Sequence, residues 1–464
     1  MSAQQATPLQ ARVEAELAKA AAGTRFGLVV TDAQGREIVA VNPDQRFIPA
    51  SNTKIVTTAA AFATLPMLDR PDVSGGAAVR LDGRDVVLTG RGDARLSSAP
   101  GCTANCLSQL ADAIAARTKR VRNVTGDATL FPDERWSAGM SWNNIPSPYG
   151  TALGALTLDD NELLATATPG KEGAAPGVVH PGYLAIDNRA VTVAAGGKTD
   201  LSIDRLPFDR TIRLTGTIAA DAKPQRIRMG IDDPAHYAAW RLAALLRERG
   251  VKVSGEIGSR YRPTGPGDDP RQRAGMPPPR IGFGAQLATL TPPPLLDDIR
   301  TINKDSQNLH AELLLRRTGL ARGSGSVADG QVEVEAMFAK AGVPRTAWDF
   351  SDGSGMSTYN RIAPRGMVEL LGWIAAQPWG AAWRGTLPIG GVDGTLARRF
   401  KGTILEGRIF AKTGTINATN ALAGYMTAKS GRTLTFAAYA NDVPSGTAAT
   451  PAMDSALVAI AEAN

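Results

Sequence analysis

Three short polar strings, spread along the chain, constrain its fold more than any other sequence feature. They are Ser51-Asn52-Thr53-Lys54, Ser306-Gln307-Asn308 and Lys412-Thr413-Gly414. More than half of the 464 residues lie between the first string and the second. If the three strings meet in one site, the chain must leave a first folding unit after Ser51, build something large and return. The spacing therefore predicts a nested insertion.

The first string is placed to activate a serine. Ser51 follows Pro49 and precedes an apolar, Ala-rich segment, 55–65, that we predict to be a helix. Unpaired N–H groups and the helix dipole favour negative charge at such a start. Lys54 lies one helical turn further on the same face. Lysine becomes a base for serine when burial or a second cation lowers its pKa, and we expect Lys412 to be that cation.

The other two strings supply partners for this serine. Ser306 and Asn308 are two positions apart, so in a loop the hydroxyl can relay protons and the amide can hold a substrate carbonyl. An isolated Ser-x-Asn is more often a helix cap, and each string alone is a weak signal. Lys412 follows the apolar residues 409–411 and is predicted on an edge strand that can pair with a peptide substrate. The residues expected to meet the substrate there, including its carboxylate, are Lys412, Thr413, Gly414 and Thr415.

The histidines do not form a pattern for a Ser-His-Asp triad. Only His180, His236 and His310 occur, and the sequence has no Gly-x-Ser-x-Gly string. His310 follows the second string, and we predict that it lies on a helix surface. Lysine is therefore favoured over histidine as the base.

Hydrophobic periodicity predicts a mixture of helices and strands. Predicted helices cover residues 9–21, 55–65, 106–117, 234–249, 295–302 and 309–317. Predicted strands cover 26–32, 37–41, 79–81, 86–88, 121–130, 252–257, 408–412, 421–426 and 433–440, the last three as a meander. Residues 163–227 are predicted to be mostly β, and the Gly-, Pro- and Arg-rich residues 258–283 to be an exposed linker.

Charge and apolar runs limit the partners of the chain. The formal charge is +7, but basic residues are dispersed and no nucleic-acid motif is present. A peripheral association with an anionic wall or membrane surface is compatible with this charge. No apolar run reaches the ~18 residues of a membrane span, and no signal peptide is visible. Either the protein is cytosolic or its leader has been removed, and we favour a periplasmic or extracellular protein whose leader has been removed.

The two cysteines, Cys102 and Cys106, are too few for a structural zinc site, which normally has four ligands. They are either two reduced thiols or a small disulfide. We favour the disulfide, which suits an oxidising compartment. No metal or cofactor is expected.

Four further segments resemble one protein family. Gly90-Arg91-Gly92-Asp93 is similar to its Gly-Asp segment, and residues 142–161 are similar to its Trp-rich stretch with an Asn end. Residues 352–357, Asp-Gly-Ser-Gly-Met-Ser, are similar to its Asp-Gly-Ser-Gly-Leu-Ser loop, and residues 387–396 to its segment before the last motif. With the three strings, the chain resembles the class C low-molecular-mass penicillin-binding proteins, the D-alanyl-D-alanine carboxypeptidase/endopeptidases.

This resemblance implies an α/β (α+β) fold. A transpeptidase-like domain, an antiparallel sheet flanked by helices, would be interrupted by a second domain that is itself interrupted by a third. We therefore expect a catalytic domain of residues 1–74 and 284–464, an inserted domain of 75–162 and 228–283, and a mostly-β domain of 163–227.

The resemblance also implies a serine DD-peptidase. Ser51 would attack the D-Ala-D-Ala bond of peptidoglycan stem peptides to form an acyl-enzyme, and as an endopeptidase the protein would cleave peptide cross-links in the same way. β-Lactams would acylate the same serine. The backbone N–H groups of Ser51 and Thr415 would form the oxyanion hole. The catalytic residues would be Ser51, Lys54, Ser306, Asn308 and Lys412, and further substrate-binding residues Trp142, Asn144, Tyr149, Met356 and Thr358.

Two positions depart from the family pattern. Members that recognise meso-diaminopimelic acid often have Asp at the position of Asn144 and Arg at the position of Thr358. Each missing ion pair could remove roughly 1.5–3 kcal/mol of charge-assisted hydrogen bonding. We expect a pocket that does not strongly select a zwitterionic side-chain terminus, unless a neighbour such as Arg361 compensates.

Two other functions fit the same strings. A β-lactamase would use the same serine but hydrolyse β-lactams quickly, and the large insertion argues against it. A wall-binding or β-lactam-sensing protein would need no turnover, and the complete set of strings argues against that.

Overall fold

Two five-stranded sheets with their helices organise the residues that the computed structural model describes, 7–464. The helices are α1 (Pro8–Leu17), α2 (Thr53–Thr64), α3 (Leu107–Arg117), α4 (Pro234–Glu248), α5 (Pro270–Arg273), α6 (Leu295–Lys304), α7 (Asn308–Leu320), α8 (Val327–Lys340), α9 (Pro364–Ala375), α10 (Gly380–Arg384) and α11 (Thr450–Ala463). Within this part of the chain, none of the helices combines the length and apolar character that crossing a bilayer requires.

The first sheet joins the two ends of the chain. Its order is β19-β20-β21-β1-β2, and every neighbouring pair is antiparallel. The strands are β1 (Arg25–Thr31), β2 (Glu37–Val41), β19 (Ile409–Ile416), β20 (Thr419–Thr427) and β21 (Thr433–Asn441). Because β1 pairs with β21, residues far apart in sequence complete one sheet, so the chain returns late to a sheet that it began early.

Alternating side chains of this sheet fill two cores. Leu28 and Val30 of β1 face α1 and α11, whereas Val29 between them faces the core that contains α2, α8 and α9. Helix α2 is buried on nearly every side, from Thr53 to Ala61. Tertiary packing therefore stabilises α2 despite its β-branched residues, which have modest helix propensity.

The second sheet is mixed. Its order is β15-β6-β4-β3-β16, with parallel β15-β6 and β6-β4 pairs. The strands are β3 (Ala78–Asp82), β4 (Asp85–Thr89), β6 (Val124–Pro132), β15 (Ile257–Arg262) and β16 (Ala288–Thr289). Helices α3 and α4 pack in the same hydrophobic core. Asp233 is the N-cap residue of helix α4, and its carboxylate accepts a hydrogen bond from the His236 N–H. Pro234 suits the first position of the helix.

The remaining strands form small sheets. One sheet contains β9 (Ala185–Asn188), β10 (Val191–Val193), β11 (Asp200–Asp204) and β12 (Thr211–Ala219), and another β7 (Glu162–Thr168), β8 (Gly177–Val179) and β13 (Gln225–Gly230). Two short pairs are β5 (Arg120–Val121) with β14 (Lys252–Val253), and β17 (Trp348–Asp349) with β18 (Arg361–Ile362).

The predicted α+β fold class with an antiparallel sheet flanked by helices is confirmed. The predicted meander is β19-β20-β21. Residues 163–227, predicted to be mostly β, contain β8 to β12 and parts of β7 and β13. The linker prediction for residues 258–283 was partly wrong, because 257–262 form β15 and pair with β6. The strand predicted at 252–257 is broken into β14 and the start of β15. The domain boundaries after residues 74, 162, 227 and 283 stay predictions.

Candidate active site

Ser51 lies in a short 3-10 turn, Ala50–Asn52, that leads directly into α2. Ala50 has a positive φ of 46°, a conformation that non-glycine residues seldom adopt. The Thr53 hydroxyl donates to Ala50 O at 2.9 Å, and Asn52 Nδ2 donates to Lys412 O at 2.7 Å. The turn is therefore fastened to both α2 and β19, and it holds Ser51 half-buried between them.

Lys54 meets Ser51 as the helical spacing predicts. Its Nζ donates to Ser51 Oγ at 3.0 Å, to Asn308 Oδ1 at 2.6 Å and to Ser354 O at 2.6 Å. The side chain is fully buried. Burial lowers the pKa of Lys54 to about 7, although the carboxylates of Asp352 and Glu312 oppose the shift. A lysine with this pKa is partly neutral near pH 7 and can accept the Ser51 proton.

Lys412 and Ser306 form a second lysine–serine pair. Lys412 Nζ donates to Ser306 Oγ at 2.9 Å, and the lysine is fully buried. Burial, with the positive charge of Lys54, lowers the pKa of Lys412 well below its usual value, while Asp305 opposes the shift. Ser306 has a positive φ of 61°, so a locally strained backbone presents its hydroxyl. The structure thus brings all three strings together.

Asn308 connects the inserted part of the chain to this centre. Its side-chain Oδ1 accepts a hydrogen bond from Lys54 Nζ, and its Nδ2 donates a hydrogen bond to Tyr149 O at 3.0 Å. Asn308 is the first residue of α7, and the preceding Gln307 caps the helix by accepting the Leu309 N–H. The capping residue is therefore Gln307, which leaves Ser306 free to bond Lys412.

Strand β19 is an edge strand with backbone groups available beside Ser51. Ala411 N–H donates to Pro388 O and Gly390 N–H to Ile409 O, both away from β20. By the two-residue period of a strand, the N–H groups of Thr413 and Thr415 point to the same outer side. A Cβ added to Gly414 would lie 2.7 Å from Pro49 O and 3.1 Å from Ser51 N. Gly414 therefore permits the close approach of the Ser51 turn.

The loop of residues 352–357, for which the sequence predicts a substrate contact at Met356, also contacts Lys54 through a backbone oxygen. The carboxylate of Glu312 accepts the N–H groups of Gly353 and Ser354, both at 3.0 Å, and Ser354 O accepts from Lys54. Glu312 also pairs with the buried Arg316 at 3.1 Å. Sequence spacing could have indicated this role of Glu312, since Glu312 lies one helical turn after Asn308 on α7.

Asp352 closes the same loop. It accepts the N–H groups of Gly355 at 2.9 Å and Ser357 at 2.6 Å, and Asn360 Nδ2 at 2.6 Å. Burial, followed by the nearby charge of Glu312, raises the pKa of Asp352 to about 6. Gly355 has φ of 89°, and a Cβ there would lie 1.9 Å from Ala50 O. The loop therefore fits only with glycine at this position.

Only two of the predicted residues of the side-chain pocket, Tyr149 and Met356, line a pocket beside the catalytic residues. Trp142 and Tyr149 are exposed, by 58% and 64%. Tyr149 and Met356 line a small pocket with Asn308 and Ser354. Trp142, Asn144 and Thr358 do not line this pocket. Thr358 instead donates to Gly139 O from its N–H and its hydroxyl, both at 3.0 Å.

Arg361 does not offer a free guanidinium in place of the arginine that family members often have at the position of Thr358. Its guanidinium donates to the backbone oxygens of Thr358 and Asn360. Burial and the positive charges of Arg46 and Arg25 lower the pKa of Arg361.

The prediction that His310 lies on a helix surface was wrong. Its side chain is buried between the carboxylates of Asp298 and Asp160. Sequence pattern could not reveal this, because both partners come from elements distant in the chain.

Cys102 and Cys106 are joined in a disulfide, which is the favoured one of the two alternatives. Among residues 7–464, no group of three or more His, Cys, Asp or Glu side chains could hold a metal ion. The contacts of the polar centre join serine, lysine and asparagine side chains.

Fold and site together define a serine acyl-transfer hydrolase of the penicillin-binding type. A family model described as the D-Ala-D-Ala carboxypeptidase 3 (S13) family matches residues 9–464. The chain belongs to this family, which confirms the resemblance seen in its motifs.

Known proteins agree with this assignment along nearly the whole chain. A D-alanyl-D-alanine carboxypeptidase of Actinomadura sp. (strain R39) is 34% identical over 467 residues, covering 95% of this chain and 82% of the relative. The crystal structure of Haemophilus influenzae penicillin binding protein 4 matches with a TM-score of 0.79 and 22% identity, over 96% of this chain and 97% of that one. Its complex with a novel β-lactam matches with a TM-score of 0.72 and 21% identity, over the same shares.

Proposed function

We propose that this protein is a serine DD-peptidase that cleaves the D-Ala-D-Ala bond of peptidoglycan stem peptides. The observation that carries the proposal is the buried Lys54 amine, 3.0 Å from Ser51 Oγ in a chain of the D-Ala-D-Ala carboxypeptidase 3 family. Its endopeptidase action on peptide cross-links would use the same acyl-enzyme, since both reactions cleave a peptide bond after D-Ala.

Acylation begins at Ser51. Neutral Lys54 takes the hydroxyl proton as Ser51 Oγ attacks the carbonyl carbon between the two D-Ala residues. The oxyanion of the tetrahedral intermediate accepts hydrogen bonds from the N–H groups of Ser51 and Thr415. The Thr415 N–H points away from β20, and this direction supports its role. Losing one such donor typically costs ~2.7–4 kcal/mol of barrier.

The leaving amine needs a proton when the C–N bond breaks. Ser306 donates from its hydroxyl and is reprotonated by the Lys412 amine, which lies 2.9 Å away. D-Ala departs, and the acyl group stays on Ser51 as an ester. Proton exchange with solvent then returns Lys54 to its neutral form and Lys412 to its protonated form. A water molecule that gives a proton to neutral Lys54 attacks the ester, and Lys54 passes that proton to Ser51 Oγ as the acid product leaves.

Strand β19 and Asn308 hold the substrate. The peptide adds to the open edge of β19 by β-augmentation, and the Asn308 amide holds a backbone carbonyl. Lys412 is fully buried against Ser306, so a substrate carboxylate meets the hydroxyls of Thr413 and Thr415 first. The two threonines thus bind the C-terminal carboxylate, and the negative charge of that carboxylate favours the protonated form of Lys412, against the burial that lowers the pKa of this lysine.

The side-chain pocket near Trp142, Asn144, Tyr149, Met356 and Thr358 does not strongly select a zwitterionic terminus. The engaged side chain of Thr358 and the backbone contacts of Arg361 support this. Hydrolysis of a substrate with a meso-diaminopimelyl side chain is compared with that of an acetyl-lysine analogue. We expect similar kcat/KM values, and a preference above about a hundredfold for the zwitterionic side chain would contradict the idea.

We infer that β-lactams acylate Ser51 and that the protein works in the periplasm or outside the cell. The β-lactam complex of the H. influenzae protein and the family of cell-wall peptidases support both statements. The Cys102–Cys106 disulfide is typical of an oxidising compartment.

Release of D-Ala from an N-acyl-D-Ala-D-Ala peptide tests the proposed function. We expect the wild type to release D-Ala, the Ser51→Ala variant to release none, and a reporter cephalosporin to be hydrolysed slowly. Rapid cephalosporin turnover without D-Ala release would favour a β-lactamase. No release and no turnover would favour a β-lactam-sensing or wall-binding protein.

A further inference from the structure

His310 joins two carboxylates from distant parts of the chain. Its Nδ1 contacts Asp298 Oδ1 on α6, and its Nε2 lies 2.8 Å from Asp160 Oδ1, in a turn of the inserted part. The His310 and Asp298 side chains are only 5% and 7% exposed, and that of Asp160 is 44% exposed. A buried histidine that the proposed reaction does not use therefore connects the insertion to the catalytic helices.

Hydrogen-bonding chemistry identifies the charge on this histidine. A neutral imidazole has one N–H donor, whereas the imidazolium has two. Ionised Asp160 and Asp298 are acceptors only, so both contacts are satisfied when His310 is protonated. Burial opposes that charge, but the two carboxylates outweigh it and raise the pKa of His310 to about 10.

The turn that presents Asp160 is strained and firmly anchored. Asp159, Asp160 and Asn161 have φ values of 49°, 55° and 52°, three left-handed residues in succession. Such residues persist only where the surrounding structure fixes them. The Asp159 carboxylate accepts Ser98 N–H at 2.7 Å, and Asn161 Nδ2 donates to Ala152 O at 2.9 Å. The third side chain, Asp160, is fixed by His310.

The histidine lies next to the catalytic asparagine. His310 and Asn308 both belong to the first turn of α7. Asn308 bonds Lys54 at 2.6 Å and Tyr149 O at 3.0 Å, so this turn is tied to the inserted segment at two places, through Tyr149 and through Asp160. A shift of this segment would move Asn308 relative to Lys54.

We propose that His310 is a positioning residue: as an imidazolium held between Asp160 and Asp298, it sets the register of the inserted segment on α7 and so places Asn308 against Lys54. The inference rests on the proposed function of Asn308 and Lys54. The histidine touches neither substrate nor reacting atoms, and it acts through α7.

Other charged groups surround this bridge and contribute to its titration. On the inserted side, Glu162 pairs with Arg228 at 2.6 Å, and both influence the charge of Asp160. On the other side, burial raises the pKa of Asp93 to about 6, and the negative charge of Asp298 adds to this shift. The groups to be considered are therefore Asp298, Asp160, Glu162, Arg228 and Asp93.

A histidine NMR titration of the full chain tests the bridge directly. The ring signals of His180, His236 and His310 are followed from about pH 5 to about pH 9, and the His310→Gln variant identifies the signal of His310. We expect His310 to remain an imidazolium throughout. A His310 signal that titrates near its ordinary pKa of about 6.5 would overturn the inference.

A pH–rate profile tests the positioning role. Asp160→Asn removes one anionic partner without changing side-chain size, so the pKa of His310 falls and the bridge is lost as pH rises. For the variant, kcat/KM per penicillin-titrated Ser51 should fall at least about fivefold between about pH 6.5 and about pH 9, relative to wild type, mostly through kcat. The control Asp200→Asn, at an exposed Lys198 pair, should follow the wild-type profile.

The outcomes separate this inference from the proposed function. If Asp160→Asn gives the wild-type profile, His310 does not position Asn308. If the wild type itself forms no acyl-enzyme, the proposed function fails, whereas the NMR titration still decides the protonation of His310. Normalising to titrated Ser51 keeps the test valid if a part of the variant protein is misfolded.

Discussion

At the scale of single residues, the chemistry depends on the protonation of Lys54. Only the neutral amine can accept the Ser51 proton, and burial lowers the pKa of Lys54 to about 7. The rate of acylation by a penicillin should therefore rise as pH increases through about 7 and level off above it. Stopped-flow measurement of acylation across this range checks the prediction. A rate that falls through the same range would show that Lys54 acts as a cation.

Arginine at position 54 removes this ionisation, because guanidinium stays charged. We expect Lys54→Arg to lower the acylation rate by about 10²–10⁴-fold and to abolish its rise with pH. Lys340→Arg, on the exposed end of α8, is the matched control and should behave as wild type. Acylation of the Lys54→Arg protein at an unchanged rate would exclude Lys54 as the base.

Glu312 supports the site through a buried ion pair. Glu312→Gln leaves Arg316, which is 1% exposed, without its anionic partner. Breaking a buried pair in this way should lower the free energy of unfolding by about 3 kcal/mol. Urea denaturation measures the loss, and Glu335→Gln, on the exposed face of α8, should change stability by less than about 0.5 kcal/mol. Equal stabilities of the two variants would contradict this role.

The sequence was sufficient to predict the residues that meet in the centre, but not their supports. Ser51 and Lys54 are one helical turn apart, so their contact follows from local geometry. Glu312 and His310 face partners on other elements, and no local pattern reports such contacts. The same limit explains why His310 was wrongly placed on a surface.

At the scale of elements, the site depends on the close approach of β19 to the Ser51 turn. A Cβ at Gly414 would lie 2.7 Å from Pro49 O, which is closer than backbone and side chain normally approach. Gly414→Ala should therefore displace the turn and lower the penicillin acylation rate by at least about tenfold, an effect typical of a small misplacement in an active site. Acylation kinetics measure the change.

Gly372→Ala is the matched control for that substitution. Gly372 lies in α9, and a Cβ there meets nothing within 4 Å. Alanine should leave acylation unchanged and raise stability by about 0.5–1 kcal/mol through helix propensity. If both alanine variants acylate at the wild-type rate, the close approach at Gly414 is not required.

Elements with strong periodicity were predicted well, whereas sheet partners in low-complexity segments were not. The meander of β19, β20 and β21 and helix α4 follow from clear apolar patterns. Residues 257–262 lead into a Gly- and Pro-rich stretch, and their pairing with β6 depends on a strand more than a hundred positions earlier in the chain. Such non-local pairing leaves no local signal.

At the scale of the whole molecule, the insertion does more than separate the motifs. Its residues Tyr149 and Asp160 contact the first turn of α7. The long interval between Ser51 and Ser306 predicts that an insertion exists, but it does not reveal these contacts. The inserted part therefore completes the environment of the catalytic centre.

Mass spectrometry after incubation with a penicillin tests the central claim most directly. The wild type should gain one penicillin mass, located on the peptide that contains Ser51, and the Ser51→Ala variant should gain none. Covalent mass on another peptide, or no adduct on a folded wild type, would contradict the assignment of Ser51 as the nucleophile.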